Sequence, residues 1–345
     1  MKLAVVLYNL GGPDGPDAVE PFLNNLFSDP AIIAAPSFIR KPLARFIAKR
    51  RTPIAREIYA KIGGRSPILE ETEAQGRALE GELQKRGYEA RAFVAMRCWK
   101  PFSADAARAV VEWQPERVVR LPLYPQFSVT TTQSSEDDWR EASAKAGITV
   151  PQSRVCCYPR SEGFIAAEAA LIRKAFGNAR PDISYRLLLS AHGLPERTVA
   201  SGDPYRWQVE KTAAAIAAAL ELPWLDWRVC YQSRVGPMQW ITPSTDSEIR
   251  RAGEEGNGLV VAPIAFVSEH SETLVELDIE YEKLARGCGV RDYLRVPTVG
   301  TRPEFIGALA DLVERAAAST RAVSDEGGRI CPNGFARCGF REGRA

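Results

Sequence analysis

Apolar residues recur along the chain in short runs, at 3–8, 92–96, 118–123, 186–189, 225–229 and 259–266, rich in Val, Leu and Ile. A strand wet on one face alternates apolar and polar residues; a continuously apolar strand is covered on both faces, as in the parallel sheets of α/β folds. The polar stretches between the runs carry helical spacing. Residues 72–85 set Ala74, Leu79 and Leu83 along one side, and 205–220 contain a run of Ala that favours helix strongly. The alternation predicts βαβ units.

The first run follows Lys2 and has the look of a signal peptide, but it is shorter than the roughly 7–15 apolar residues such a segment needs, and Asn9-Leu10-Gly11-Gly12-Pro13 follows it. It reads as a buried first strand ending in a tight turn. The longest later apolar stretch contains Pro263 and falls far short of the ~18–20 residues that span a bilayer. The expectation is a protein that is soluble or lies on a membrane surface. At roughly 150 residues per domain, 345 residues suggest about two domains. Leu7 to Pro13 and Leu189 to Pro195 share a strand-then-turn pattern, which predicts two similar lobes: 1–150, with a helix at 302–320 packing back on it, and 151–301, followed by an extension at 321–345.

Composition narrows the function. Lys and Arg number 45 against 43 Asp and Glu, so no global charge demands a nucleic acid, and none is expected as partner. Seven Cys is odd and too sparse for a disulfide framework, which suits a reducing cytoplasm with most thiols in the core and some as metal ligands. One local exception stands out. Residues 30–56 hold Arg40, Lys41, Arg45, Lys49, Arg50, Arg51 and Arg56, no acid, and Ile32, Ile33, Phe38, Ile39, Leu43, Phe46 and Ile47 among them. Such a stretch either packs its apolar face on the chain's own core, the reading preferred here, or rests on anionic lipid.

Ligands in doubly wound sheets bind at the carboxyl ends of the strands. The only two histidines, His192 and His270, both stand just after predicted strands. Imidazole accepts protons and binds divalent metals near neutral pH. Glu269, Glu272, Glu276 and Glu280 begin beside His270 with spacings that form one acidic stripe on a helix. Clustered carboxylates relay protons or pass a cation. Arg97, Tyr124 and Trp240 on other strand-end loops fit a large flat aromatic anion better than a phosphate, since neither a Walker loop nor Gly-x-Gly-x-x-Gly is present.

Taken in order, these motifs resemble the ferrochelatases over residues 3–315. The resemblance is carried by Asn9-Leu10-Gly11-Gly12-Pro13, Ile62-Gly63-Gly64-Arg65-Ser66-Pro67, Tyr124-Pro125-Gln126-Phe127-Ser128, Ser190-Ala191-His192-Gly193-Leu194-Pro195, Gln232-Ser233-Arg234 and Ser268-Glu269-His270-Ser271-Glu272-Thr273. It implies two Rossmann-like lobes with parallel four-stranded sheets around a porphyrin cleft. It also implies an enzyme that inserts Fe²⁺ into protoporphyrin IX to give protohaem, releasing two protons. By the same resemblance His192, Glu272 and His270 are catalytic; Leu10, Tyr59, Ser66, Arg97, Tyr124 and Trp240 line the porphyrin; and His192, Glu272, Glu269, Glu276 and Glu280 handle the metal. Cys331 and Cys338, with Cys156 or Cys157, resemble the ligands of a [2Fe–2S] cluster, although adjacent strand residues normally point apart. The implied location is the cytoplasm, peripheral on the inner membrane. A coproporphyrin or other divalent-metal chelatase stands as the near alternative. A metal-dependent hydrolase built on His192, His270 and Glu272, or a non-catalytic tetrapyrrole carrier, stands as the alternative from other classes.

Overall fold

The computed structural model describes residues 1–234, 236 and 238–340, and the chain resolves into two compact units. The first comprises Met1–Cys157, Leu309–Ile330 and the chain from Gly339; the second comprises Tyr158–Ala308 and Cys331–Cys338.

The first unit is built on a parallel sheet of β1 (Lys2–Asn9), β2 (Glu89–Met96), β3 (Arg117–Pro122), β4 (Gln152–Cys157) and β9 (Val323–Ser324), in the order β2-β1-β3-β4-β9. Every residue of β1 from Leu3 to Asn9 is buried, as its unbroken apolar run requires of a central strand. Asn9 pairs with Met96, and Tyr8 with both Ala95 and Pro122, so the loops after β1, β2 and β3 leave the sheet at one edge. The chain stays with this unit past Pro151 because β4 pairs with β3. Beyond the four expected strands, the C-terminal extension supplies β9, whose two residues are too few to show a pattern in sequence. Where β9 meets β4, Val155 pairs with Val323 and Cys157 with Ser324, which leaves Cys156 as the extra residue of a bulge.

Helices α1 (Val19–Ser28), α2 (Ser37–Ala60), α3 (Ile68–Lys85), α4 (Ser103–Trp113) and α5 (Thr132–Lys145) complete the unit. The α2 helix overturns the preferred reading of the basic stretch. Its buried residues are Ala44, Ala48, Thr52 and Tyr59, and Ala48 packs against Val19, Phe22 and Leu23 of α1. Phe38 is 76% exposed, Phe46 59% and Ile54 62%. Small side chains let two helix backbones approach closely, so here the small residues take the core face and the large apolar ones turn outward with Lys41, Arg45, Lys49 and Arg50.

The second unit carries β5 (Tyr185–His192), β6 (Asp226–Gln232), β7 (Gly258–Pro263) and β8 (Tyr293–Arg295), parallel in the order β6-β5-β7-β8. The expected strand at 259–266 stops at Pro263, which has no N–H to continue the ladder. Around the sheet run α6 (Glu162–Phe176), α7 (Glu196–Ala200), α8 (Tyr205–Leu220), α9 (Thr245–Glu254), a π-helix (Glu272–Tyr281) and α10 (Glu282–Gly287). The division between the units falls within α11 (Pro303–Ala317), after Ala308.

Candidate active site

In the second unit, β5 ends on His192 and β6 on Gln232, in register with each other. The imidazole Nδ1 of His192 lies 2.9 Å from Oε2 of Glu272, the first residue of the π-helix. A carboxylate only accepts, so Nδ1 carries the proton and Nε2 is left as the lone-pair nitrogen of the neutral ring. The side chain of His192 is 35% exposed, which leaves that nitrogen within reach of a bound molecule. His270 Nδ1 donates to the Ser268 carbonyl at 3.0 Å. Its Nε2 then faces the same Glu272 oxygen at 3.6 Å. Phe266 stands beside both imidazoles, its ring centroid 4.6 Å from that of His270 and 6.5 Å from that of His192.

Burial alone would lower the pKa of His192, but the charge and hydrogen bond of Glu272, with a further contribution from Glu276, raise it above 6.5. Burial likewise pushes the Glu272 carboxyl up, and His192 and His270 overcome it and hold the group far below the ordinary carboxylate range. Glu276 differs. Burial and the neighbouring charge of Glu272 raise its pKa, against the hydrogen bonds of Ser233 and Tyr281. Two nearby carboxyls therefore have opposed proton affinities, the arrangement that separates acid and base roles.

Glu276 is held by the backbone N–H of Ser233 at 2.7 Å, by the Ser233 hydroxyl, by Gln232 Nε2 at 3.1 Å and by Tyr281 Oη at 3.0 Å. Gln232 also donates to the Glu272 carbonyl at 2.9 Å and accepts from Ser190 Oγ at 2.8 Å. The sequence reading marked this loop without giving Gln232 or Ser233 a part; Ser233, a non-glycine residue at φ 63°, is the signal that the backbone is bent to aim its N–H. The acidic row does not form one stripe. Glu269 precedes the helix and pairs with Arg295 at 2.6 Å and with the Thr298 N–H at 2.9 Å, while Glu280 is exposed. Asp278, between them, also pairs with Arg295. Among the described residues no three His, Cys, Asp or Glu side chains are gathered to cage a metal ion. Trp240 closes this side: a Cβ on Gly193 would lie 3.4 Å from its ring, and its Nε1 is buried with no hydrogen-bond partner among the described residues.

In the first unit, Leu10, Arg97 and Tyr124 follow β1, β2 and β3 at one sheet edge. The N–H groups of Arg97 and Cys98 donate to the carbonyls of Asn9 and Leu10. Ser66 N donates to the Pro13 carbonyl at 2.8 Å, and a Cβ on Gly12 would come within 2.5 Å of Ser66 Cβ, so only glycine fits there. Tyr59 is buried among α1 residues. Arg97 is occupied from behind: it pairs with the buried Asp29 at 3.1 Å and donates to Ser134 Oγ at 2.7 Å, beside a cavity of about 470 Å³ lined by Asn25, Asp29, Arg97, Asp138 and Lys145. Asp29 and Ser134 had no signal in sequence, being separated from Arg97 by long stretches of chain. Cys98 and Cys230 are buried thiols, each pushed up to about 12 by desolvation, as core residues rather than ligands.

A family model described as Ferrochelatase matches residues 2–317. The chain is 54% identical over 345 residues to the ferrochelatase of Caulobacter vibrioides strain NA1000 / CB15N, covering 99% of this chain and 98% of that one. It is 44% identical over 341 residues to that of Pelagibacter ubique strain HTCC1062, covering 98% of each. Among solved structures, SirB from Bacillus subtilis with Fe³⁺ superposes with a TM-score of 0.53 at 15% identity, over 92% of this chain and 96% of that one. The sirohydrochlorin chelatase SirB in complex with cobalt gives 0.52 at 13%, over 92% and 96%; at such identities the likeness is of fold, the chelatase-like pair of parallel sheets. The chain belongs to the ferrochelatase family.

Proposed function

We propose that this chain inserts Fe²⁺ into protoporphyrin IX to give protohaem, with His192 as the base that takes the pyrrole protons. The observation that carries the reading is the His192–Glu272 pair, which leaves Nε2 as an exposed lone pair at a strand end. A free porphyrin must lose two N–H protons as the dication enters. Glu272 holds the His192 ring in the tautomer that accepts at Nε2 and stabilises the imidazolium once formed. Glu276, with its raised proton affinity, receives a proton that the ionised Glu272 would not keep. His270 and Glu272 offer a borderline nitrogen and a hard oxygen donor to iron as it passes. Leu10, Tyr59, Ser66, Arg97, Tyr124 and Trp240 hold the ring, and a surface complementary to the bent macrocycle favours the transition state over the flat substrate. Anaerobic incubation with protoporphyrin IX and Fe²⁺ should give the protohaem spectrum. Turnover of coproporphyrin in preference would move the assignment to that substrate, and porphyrin binding without metallation would make the chain a carrier.

Among the described residues no helix is long and apolar enough to cross a membrane. The outward Phe38, Phe46 and Ile54 of α2, interleaved with Lys41, Arg45, Lys49 and Arg50, support a cytoplasmic protein resting on an anionic membrane surface, with apolar side chains entering the interface and cations facing the headgroups.

A [2Fe–2S] cluster is a third part of the reading. Four thiolates are the usual requirement, and such a cluster would supply a one-electron centre. Cys331 and Cys338 are both buried while Pro332, Asn333, Gly334, Ala336 and Arg337 between them are exposed, and the buried Gln208 Nε2 donates to Cys331 Sγ at 3.2 Å, as donors to cluster sulfurs do. The bulge at Cys156 gives β4 the irregular backbone that two adjacent thiols need to serve one site, and both are buried. Cys156, Cys157, Cys331 and Cys338 are the thiols that the resemblance offers, although among the described residues no three Cys, His, Asp or Glu side chains are gathered as a metal site. Anaerobically purified protein should be reddish-brown and lose its charge-transfer bands in Cys331→Ser and Cys338→Ser; a colourless, iron-free, fully active preparation would remove the cluster from the reading.

A further inference from the structure

In the first unit a buried carboxylate, Glu136 on α5, accepts from Tyr8 Oη at 3.2 Å and from Arg120 Nη1 at 2.5 Å, and Arg154 Nη1 stands 4.0 Å away. Two partly buried guanidiniums thus share one carboxylate, and Arg154 has donors to spare. Its Nη2 donates at 2.5 Å to the carbonyl of Gly339 in the C-terminal extension. Gly339 in turn lies flat on Phe127: a Cβ there would come within 2.2 Å of Cε2, 2.7 Å of Cδ2 and 2.8 Å of Cζ. Phe127 is 1% exposed and packs with Val129, Cys156, Cys157, Ile330 and Phe340, so its ring has no room to yield. It stands on the same loop as Tyr124, between β3 and α5.

We propose that the backbone at Gly339 is a wedge that sets the porphyrin loop: Arg154 holds the Gly339 backbone down, Gly339 seats the Phe127 ring, and Phe127 fixes the loop that presents Tyr124. Gly339 and Arg154 are positioning residues, and the assignment rests on Tyr124 lining the porphyrin. The glycine is required because the contact is made by backbone; any side chain at 339 drives the ring, and the loop with it, out of place.

The test uses full-length Gly339→Ala, with Gly334→Ala as control, since Gly334 is in the same tail with nothing within 4 Å of a Cβ. In anaerobic assays Gly339→Ala should lower kcat/KM for protoporphyrin about tenfold, inside the ~10²-fold that a 1 Å misplacement can cost. KM for Fe²⁺ should stay unchanged, because His192 and Glu272 belong to the other unit. Adding Phe127→Leu, which removes Cε2 and Cζ, should restore most of the loss. Arg154→Gln, which frees the Gly339 carbonyl without a clash, should give the same porphyrin-selective loss. Amide exchange at 124–132, read without substrate, should quicken in Gly339→Ala and slow again in the double variant. Wild-type kcat/KM and exchange in Gly339→Ala, an equal loss on both substrates, or no recovery with Phe127→Leu would overturn the wedge. If the wild type fails to metallate protoporphyrin, the porphyrin reading falls, and the exchange rates alone decide whether the wedge exists.

Discussion

His192 and Glu272 meet at 2.9 Å across 80 positions of sequence, and the meeting sets the state of both. The carboxylate fixes which imidazole nitrogen carries the proton and raises the proton affinity of the ring; the ring keeps the carboxylate ionised. His192→Ala removes the base while leaving the apolar and aromatic surfaces intact. Metallation should stop while protoporphyrin still binds, as followed by quenching of porphyrin fluorescence. Substantial turnover in this variant would take the base role away from His192.

A pH profile separates the two members of the pair. Activity needs neutral His192, and Glu272 raises its pKa, so the ascending limb of kcat should lie above pH 6.5. In Glu272→Gln the raising charge is gone and burial, which lowers the pKa, prevails. The limb should then move below 6.5, with a maximal rate reduced by at least ~10²-fold. An unmoved limb would show that another group sets the profile.

How far the sequence told this story varies with the physics behind each part. The mostly apolar runs marked β1, β3, β5 and β7 because a strand covered on both faces needs no periodicity to be seen. β8 and β9, of three and two residues, left no pattern. The two histidines were visible as strand-end residues, but their shared carboxylate came into view only through family resemblance, since contact across 80 positions has no local signature. The acidic row was read as one helical face; Arg295, far along the chain, draws Glu269 and Asp278 to itself. The inward face preferred for the apolar residues of α2 gave way to the outward alternative because hydropathy ranks Phe above Ala, whereas close helix packing favours the smaller side chain.

That outward face predicts a measurable partition. Arg45→Glu together with Lys49→Glu should weaken binding to vesicles containing anionic lipid by about fivefold for each charge removed, ~1 kcal/mol apiece, and high salt should do the same to the wild type. Phe46→Ser should weaken binding at every salt concentration. Equal sedimentation with neutral and anionic vesicles would sink the membrane reading.

Glu168, on α6, is fully buried, and neither carboxyl oxygen has a hydrogen-bond partner among the described residues. Burial, with the charge of Glu269, raises its pKa well above 4.5, so the native state holds a proton that the unfolded chain gives up as pH rises through 4.5. Stability is then lost as pH rises above the unfolded value. Glu168→Leu should stabilise the protein at about pH 7 by on the order of 1–3 kcal/mol, and the gain should shrink as pH falls toward 4.5. Thermal melts at the two pH values measure it; a gain that is independent of pH would locate the effect in packing instead.

The close fit of Gly12 against Ser66 ties a knot at the base of the α1–α2 hairpin. The chain leaves the sheet edge at Gly12, runs through both helices and comes back to the same point at Ser66, where the Pro13 carbonyl clasps it. The segment between is fastened at a second place as well, where Asp29 pairs with Arg97 and Asn25 donates to the Cys98 carbonyl. A pull on α2 from outside therefore arrives both at the neck, beside Leu10, and at the loop after β2, where Arg97 stands.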